Sequence, residues 1–145
     1  MAIINPLEAE PKMRRTVMVV DADVLSRMAI ADYLRHCGYS VLEGSSAEDV
    51  DAVLTTEREI DVMLIDLTLS GTQDGFSLAR KVRAEHPDIV VILTSSAAKQ
   101  AEKAGELCDD GPLMKPYNPA ELERRIKLLR ERRRLHEATR DRPFG

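Results

Sequence analysis

The chain has 145 residues, 43% of them apolar and 32% charged, with a formal net charge of −4. This is the composition of a single globular domain with its own core, and it argues against a disordered chain, a nucleic-acid binder or (with no Trp) a base-stacking surface. No apolar run approaches the roughly 20 residues that span a bilayer, and Cys37 and Cys108, outside any CxxC or Cys/His cluster and behind no signal peptide, read as reduced thiols of a cytoplasmic protein rather than zinc ligands.

Residues 1–15 mix prolines with charges and read as a flexible leader. Val17-Met18-Val19-Val20 is the first buried strand and runs into Asp21, with Ala22 and Asp23 behind it. A helix follows over about 25–36, with Ile30, Tyr33, Leu34 and Cys37 on one face and Gly38 as its stop. Ser40 to Glu43 is a short strand, less apolar and therefore nearer an edge. Ser45 or Ser46 caps the next helix, and Glu48 stands at capping-box spacing from Ser45. Val50, Val53 and Leu54 are its inner stripe.

Val62-Met63-Leu64-Ile65-Asp66 is an unbroken apolar run ending in a carboxylate, the pattern of a parallel strand buried on both faces. A polar turn, 70–75, leads to a third helix that ends at His86-Pro87. Ile89 to Leu93 reads as the most clearly buried strand and ends in Thr94-Ser95-Ser96. The fourth helix offers only Ala97, Ala101 and Ala104 to the core, so low local stability is expected there. Gly111 to Met114 reads as a fifth strand ending at Lys115-Pro116. Asn118 and Pro119 open the last helix, with Leu122, Ile126 and Leu129 inward.

Five strands alternating with five helices predict a three-layer, doubly wound α/β fold. Its five-stranded parallel sheet takes the flavodoxin-like order 2-1-3-4-5, with strands 1, 3 and 4 central. Ligands of such sheets bind at the carboxyl ends of the strands. Asp21, Asp66, Thr94 and Lys115 all fall there, with Asp23 near Asp21. Clustered carboxylates call for a cation, and oxygen-only donors suit Mg²⁺. A carboxylate beside Mg²⁺ can attack phosphorus and form an aspartyl phosphate, while a lysine and a hydroxyl neutralise the transferring group.

On these residues the chain resembles the receiver domain of bacterial response regulators in two-component signalling. The resemblance rests on Val19-Val20-Asp21, Leu64-Ile65-Asp66, Asp74-Gly75, Ile92-Leu93-Thr94-Ser95 and Lys115-Pro116-Tyr117, and covers about residues 16–130. It implies that Asp66 is the phosphoacceptor, served by a histidine kinase or histidine phosphotransfer protein. Thr94 would be the switch hydroxyl and Lys115 the ion-pair partner of the phosphoryl group, with a cis Lys115–Pro116 bond. Asp21, Asp66 and the backbone carbonyl of Thr68 would hold Mg²⁺, with Asp23 as a further candidate. The protein would then be a phosphoryl acceptor rather than an enzyme, apart from slow self-dephosphorylation. It would signal to a downstream protein through helix 4, strand 5 and helix 5, with a homodimer as one assembly. Neither a membrane nor nucleic acid is an expected partner.

Three positions depart from the family pattern. Ala22 stands where a second acid usually ligates the metal, Pro112 replaces the switch aromatic, and Ser70 replaces a proline after Asp66. The short remainder after 130 resembles that of a stand-alone receiver, with 131–145 as a basic helix extension and tail. From Arg124 to Arg142 there are nine Lys/Arg against three Asp/Glu, which fits a solvated helix end or, alternatively, an acidic partner or nucleic acid. Two functions stay open: a phosphorylatable switch, and a pseudo-receiver that binds partners without phosphate chemistry. A flavin-binding protein of the same topology is disfavoured, because Asp21-Ala22-Asp23 would repel a phosphate.

Overall fold

The computed structural model of the chain describes residues 15–69 and 73–140. The leader at 1–14, the variant position Ser70 and the tail at 141–145 lie outside the described residues. The elements run β1 (Thr16–Val20), α1 (Val24–His36), β2 (Ser40–Gly44), α2 (Ala47–Leu54), β3 (Val62–Asp66), α3 (Gly75–Glu85), β4 (Val90–Thr94), α4 (Ala97–Asp109) and α5 (Pro119–Arg140). The extension expected from 131 is continuous with α5 as far as Arg140.

Each helix begins on a side chain that accepts an orphan backbone N–H. Asp23 caps α1, Ser46 caps α2, Asp74 caps α3 and Ser96 caps α4, and Asn118 accepts the Glu121 N–H at 2.9 Å for α5. On α2 the reciprocal carboxylate is Asp49, which accepts the Ser45 N–H at 2.8 Å, so the cap sits one residue later than the Ser45/Glu48 spacing suggests. Helix α1 ends at Gly38, whose φ of 101° is left-handed and suits glycine.

The strands form a four-stranded parallel sheet in the order β2-β1-β3-β4. Alternate residues feed two cores. Val17, Val19 and Leu64 face α1, α4 and α5, where Ile30, Leu34, Ala101, Leu122 and Ile126 are buried. Met18, Val20, Met63 and Ile65 face α2 and α3, against Val50, Leu78, Ala79 and Val82. This is the expected three-layer architecture. Fully burying Leu122 and Ile126 stabilises the docking of α5 by roughly 1.5–3 kcal/mol each. Among the described residues no helix is long and apolar enough to cross a membrane.

The expected fifth strand is not formed. Pro112 has no N–H to give a ladder, and the N–H groups around it serve helix ends instead. Gly111 donates to the Cys108 carbonyl at 3.0 Å and Leu113 to the Cys37 carbonyl at 3.2 Å. The contact face expected from helix 4, strand 5 and helix 5 therefore reduces to α4 and α5. Among the described residues no strand pairs beyond β4, so it is an edge strand, not the most buried one: Val90 is 57% exposed and Val91, Ile92 and Leu93 are only partly covered. All peptide bonds among the described residues are trans, Lys115–Pro116 included.

The expectation of two free thiols is also corrected. Cys37, at the end of α1, and Cys108, in the last turn of α4, are joined in a disulfide with a Cα–Cα distance of 5.3 Å. The two helix ends converge under the Gly111–Leu113 segment, and the Tyr39 hydroxyl donates to the Leu107 carbonyl beside them. Residues 71 apart in sequence become neighbours that spacing alone could not pair.

Candidate functional site

Central strands β1 and β3 pair directly, so Asp21 and Asp66 emerge side by side at the carboxyl edge. Asp66 is in register with Thr94 of β4. All three are buried. The two carboxylates border an open cleft lined also by Ala22, Asp23, Thr68, Arg130 and Arg134.

The two oxygens of each carboxylate have different surroundings. Asp66 Oδ1 accepts both the Thr68 N–H, at 2.9 Å, and the Thr68 hydroxyl, at 2.8 Å. Asp66 Oδ2 lies 3.4 Å from Arg130 Nη2. Asp21 Oδ1 accepts the Asp23 N–H at 2.9 Å. Asp21 Oδ2 is buried without a hydrogen bond and faces Arg130 Nη2 at 3.6 Å. Burial pushes the Asp21 carboxyl up to about 6. The charge of Asp66 adds to this, while the Asp23 N–H and Arg130 oppose it.

Asp23 lines the cleft, but its oxygens serve the start of α1. Oδ1 accepts the Leu25 N–H at 3.1 Å and Oδ2 the Ser26 hydroxyl at 3.2 Å. The Thr94 hydroxyl donates back to the Ile65 carbonyl at 3.5 Å rather than to a carboxylate. Its own carbonyl accepts the Leu67 N–H at 2.7 Å, tying the loop after β3 to the end of β4.

Lys115 is not brought into the site. Its Nζ pairs with Asp109 Oδ1 at 2.7 Å, in a groove between α4 and α5. The missing fifth strand explains this: the 111–114 segment follows the helix ends and carries Lys115 with it. The cation at the carboxylates is Arg130 of α5. Its Nε donates to Ser26 Oγ at 2.9 Å and its Nη2 to Gln100 Oε1 at 3.3 Å. Ser26 and Gln100 are themselves buried, on α1 and α4. Reading the 124–142 charges as one basic stretch hides Arg130. Helical spacing reveals it, since Arg130 stands four residues after buried Ile126 and eight after buried Leu122, on the inward face.

Gly75, the first residue of α3, rests on the end of β3. A Cβ there would overlap the Asp66 carbonyl oxygen and Leu67 Cα, both backbone atoms that cannot swing aside. Gly75→Ala is expected to cost about 1–3 kcal/mol in urea denaturation, because the strand end carrying Asp66 must shift.

The donor set fits a Mg²⁺ ion. Mg²⁺ is usually held by one or two carboxylates and keeps several waters. Asp21 Oδ2, buried without a hydrogen bond, and Asp66 Oδ2 both face the cleft, where such an ion would share them with Arg130 Nη2. Ala22 adds no donor. Among the described residues no group of three or more His, Cys, Asp and Glu side chains is arranged to hold a metal, so the fit is that of a two-carboxylate site.

Known proteins resemble the chain in sequence and in fold. The chain is 31% identical over 122 residues to the phosphate regulon transcriptional regulatory protein PhoB of Pseudomonas aeruginosa, covering 81% of this chain and 52% of that one. It is 34% identical over 123 residues to the transcriptional regulatory protein GltR of the same organism, covering 81% and 50%. The chain thus spans about half the length of these curated relatives. A response regulator receiver protein from Pseudomonas putida superposes with a TM-score of 0.50 at 25% identity, covering 79% of this chain and 97% of that one. The receiver domain of NtrX from Brucella abortus shares the fold, with a TM-score of 0.54 at 24% identity and coverage of 77% and 98%. Residues 17–127 match the response regulator receiver domain, and the chain belongs to that family.

Proposed function

We propose that the chain is a phosphoacceptor switch in a two-component phosphorelay, phosphorylated on Asp66 by a histidine kinase or histidine phosphotransfer protein. The observation that carries this reading is the division of labour at Asp66: Thr68 fixes Oδ1, while Oδ2 faces the cleft where Asp21 and Arg130 converge. In the transfer, a carboxylate oxygen of Asp66 forms an O–P bond. The bond from phosphorus to the donor's leaving group breaks, and its electron pair leaves with that group. Asp66 moves no proton. Mg²⁺ bound by Asp21 and Asp66, with the Thr68 backbone carbonyl, would supply positive charge for the phosphoryl oxygens. The Thr94 hydroxyl would turn from the Ile65 carbonyl to donate to one of them. The chain acts as acceptor rather than enzyme, with slow self-dephosphorylation at most, and passes its state to a downstream protein, or a second copy, over the α4/α5 face.

Ala22 and the Lys115–Asp109 pair favour a second reading, a binding module that uses no phosphate chemistry. Intact-mass spectrometry after incubation with a small acyl phosphate, with and without Mg²⁺, separates the two. The switch is expected to gain one phosphoryl group, only with Mg²⁺, and to lose that ability in Asp66→Asn. A folded protein that gains none is the binding module.

A further inference from the structure

We propose that Arg130 is the cation of the carboxylate site: it holds Asp21 and Asp66 before transfer and takes the phosphoryl oxygens after it, the task the family pattern gives to Lys115. This rests on Asp66 as the phosphoacceptor for its second half only. The first half follows from contacts already present.

Two carboxylates buried side by side repel each other unless a cation lies between them. Arg130 Nη2 stands 3.4 Å from Asp66 Oδ2 and 3.6 Å from Asp21 Oδ2, touching both at once. Its placement is built, not incidental. Nε is held by buried Ser26, Nη2 also reaches buried Gln100, and buried Ile126 and Leu122 of the same helix face press α5 onto the core. Such a network orients the planar guanidinium fork before any ligand arrives.

The two carboxylate distances exceed the roughly 2.8 Å of a tight charge-assisted bond, so the guanidinium has slack to follow a group added at Oδ2. A phosphoryl group there would bring its oxygens to Nη2 without moving the helix. Arg134, one turn further along α5, lines the same cleft and adds a second positive charge. Lys115 is engaged by Asp109. One consequence is that the occupancy of Asp66 is felt by α5, the helix that also forms the outer α4/α5 surface.

The test has two arms. In chelator, without any phosphodonor, melting temperatures of Arg130→Met, Asp66→Asn and the double variant form one cycle, and Lys115→Met replaces Arg130→Met in a second. The first cycle is expected to be non-additive by several degrees and the second additive. Additivity in the Arg130 cycle overturns the proposal. In the second arm, phosphoryl uptake at saturating Mg²⁺ is expected to fall about a hundredfold in Arg130→Met. It should recover in part in Arg130→Lys, which also serves if the methionine variant fails to fold, and stay near wild type in Lys115→Met. The reverse pattern, or full uptake in Arg130→Met, overturns the proposal. A wild-type chain that takes up nothing removes the phosphoacceptor reading, and the first arm still decides whether Arg130 is the partner of Asp66.

Discussion

Reducing the Cys37–Cys108 bond is expected to lower the free energy of unfolding by about 4 kcal/mol, the chain-entropy value for a closed loop of its length. The loss falls on a helix whose buried face contributes little apolar area. The inner face of α4 is largely small or polar, with Ala97, Gln100, Ala101, Ala104 and Gly105, and such side chains bury little apolar area. Its far end is fixed by the disulfide, by the Gly111 and Leu113 N–H groups on the Cys108 and Cys37 carbonyls, and by the Tyr39 hydroxyl on the Leu107 carbonyl. Urea denaturation with and without reductant measures the effect. The Cys37→Ala/Cys108→Ala double variant should match the reduced wild type and ignore the reductant. Hydrogen exchange should then show the amides of α4 opening before those of β1 and β3. Equal midpoints for the oxidised and reduced chains would show that the bond contributes nothing.

What could be read from the residues is what local pattern encodes. Val17 to Val20 and Val62 to Ile65 are apolar without interruption because helices cover both faces of β1 and β3. Each of these strands delivers a carboxylate to the edge, so the acidic half of the site was legible. The second half depended on a strand that tertiary context removed. Gly111 to Met114 has the length and character of a short strand. The donors next to Pro112, however, pair with the ends of α1 and α4, and β4 is left as an edge whose apolar residues had suggested a central place. Lys115 lies away from the carboxylates for the same reason. Charge counting treats a helix as a string and misses Arg130, whereas its i, i+4, i+8 relation to Leu122 and Ile126 places it inside. The disulfide had no local signal, since both cysteines lie at helix ends that only the folded topology brings together.

The pH dependence of stability should single out Asp21. Its carboxyl, pushed up to about 6 by burial, has a folded-state value above the ordinary 3.8. The neutral acid is therefore the form that the fold prefers. Its contribution is complete below about pH 4 and is lost as the pH rises through 6, when a buried charge must be carried beside Asp66. Asp21→Asn keeps the shape and removes the charge. In chelator the variant should match wild type near pH 4 and exceed it at pH 7.5, by on the order of 2–3 kcal/mol. Urea denaturation across that range gives the comparison. A constant difference at all pH values would mean that Asp21 titrates as an ordinary carboxylate and that Arg130 already offsets its burial. A difference that opens between pH 5 and 7 would show that the site carries excess negative charge in the resting chain, the condition that draws a cation to it.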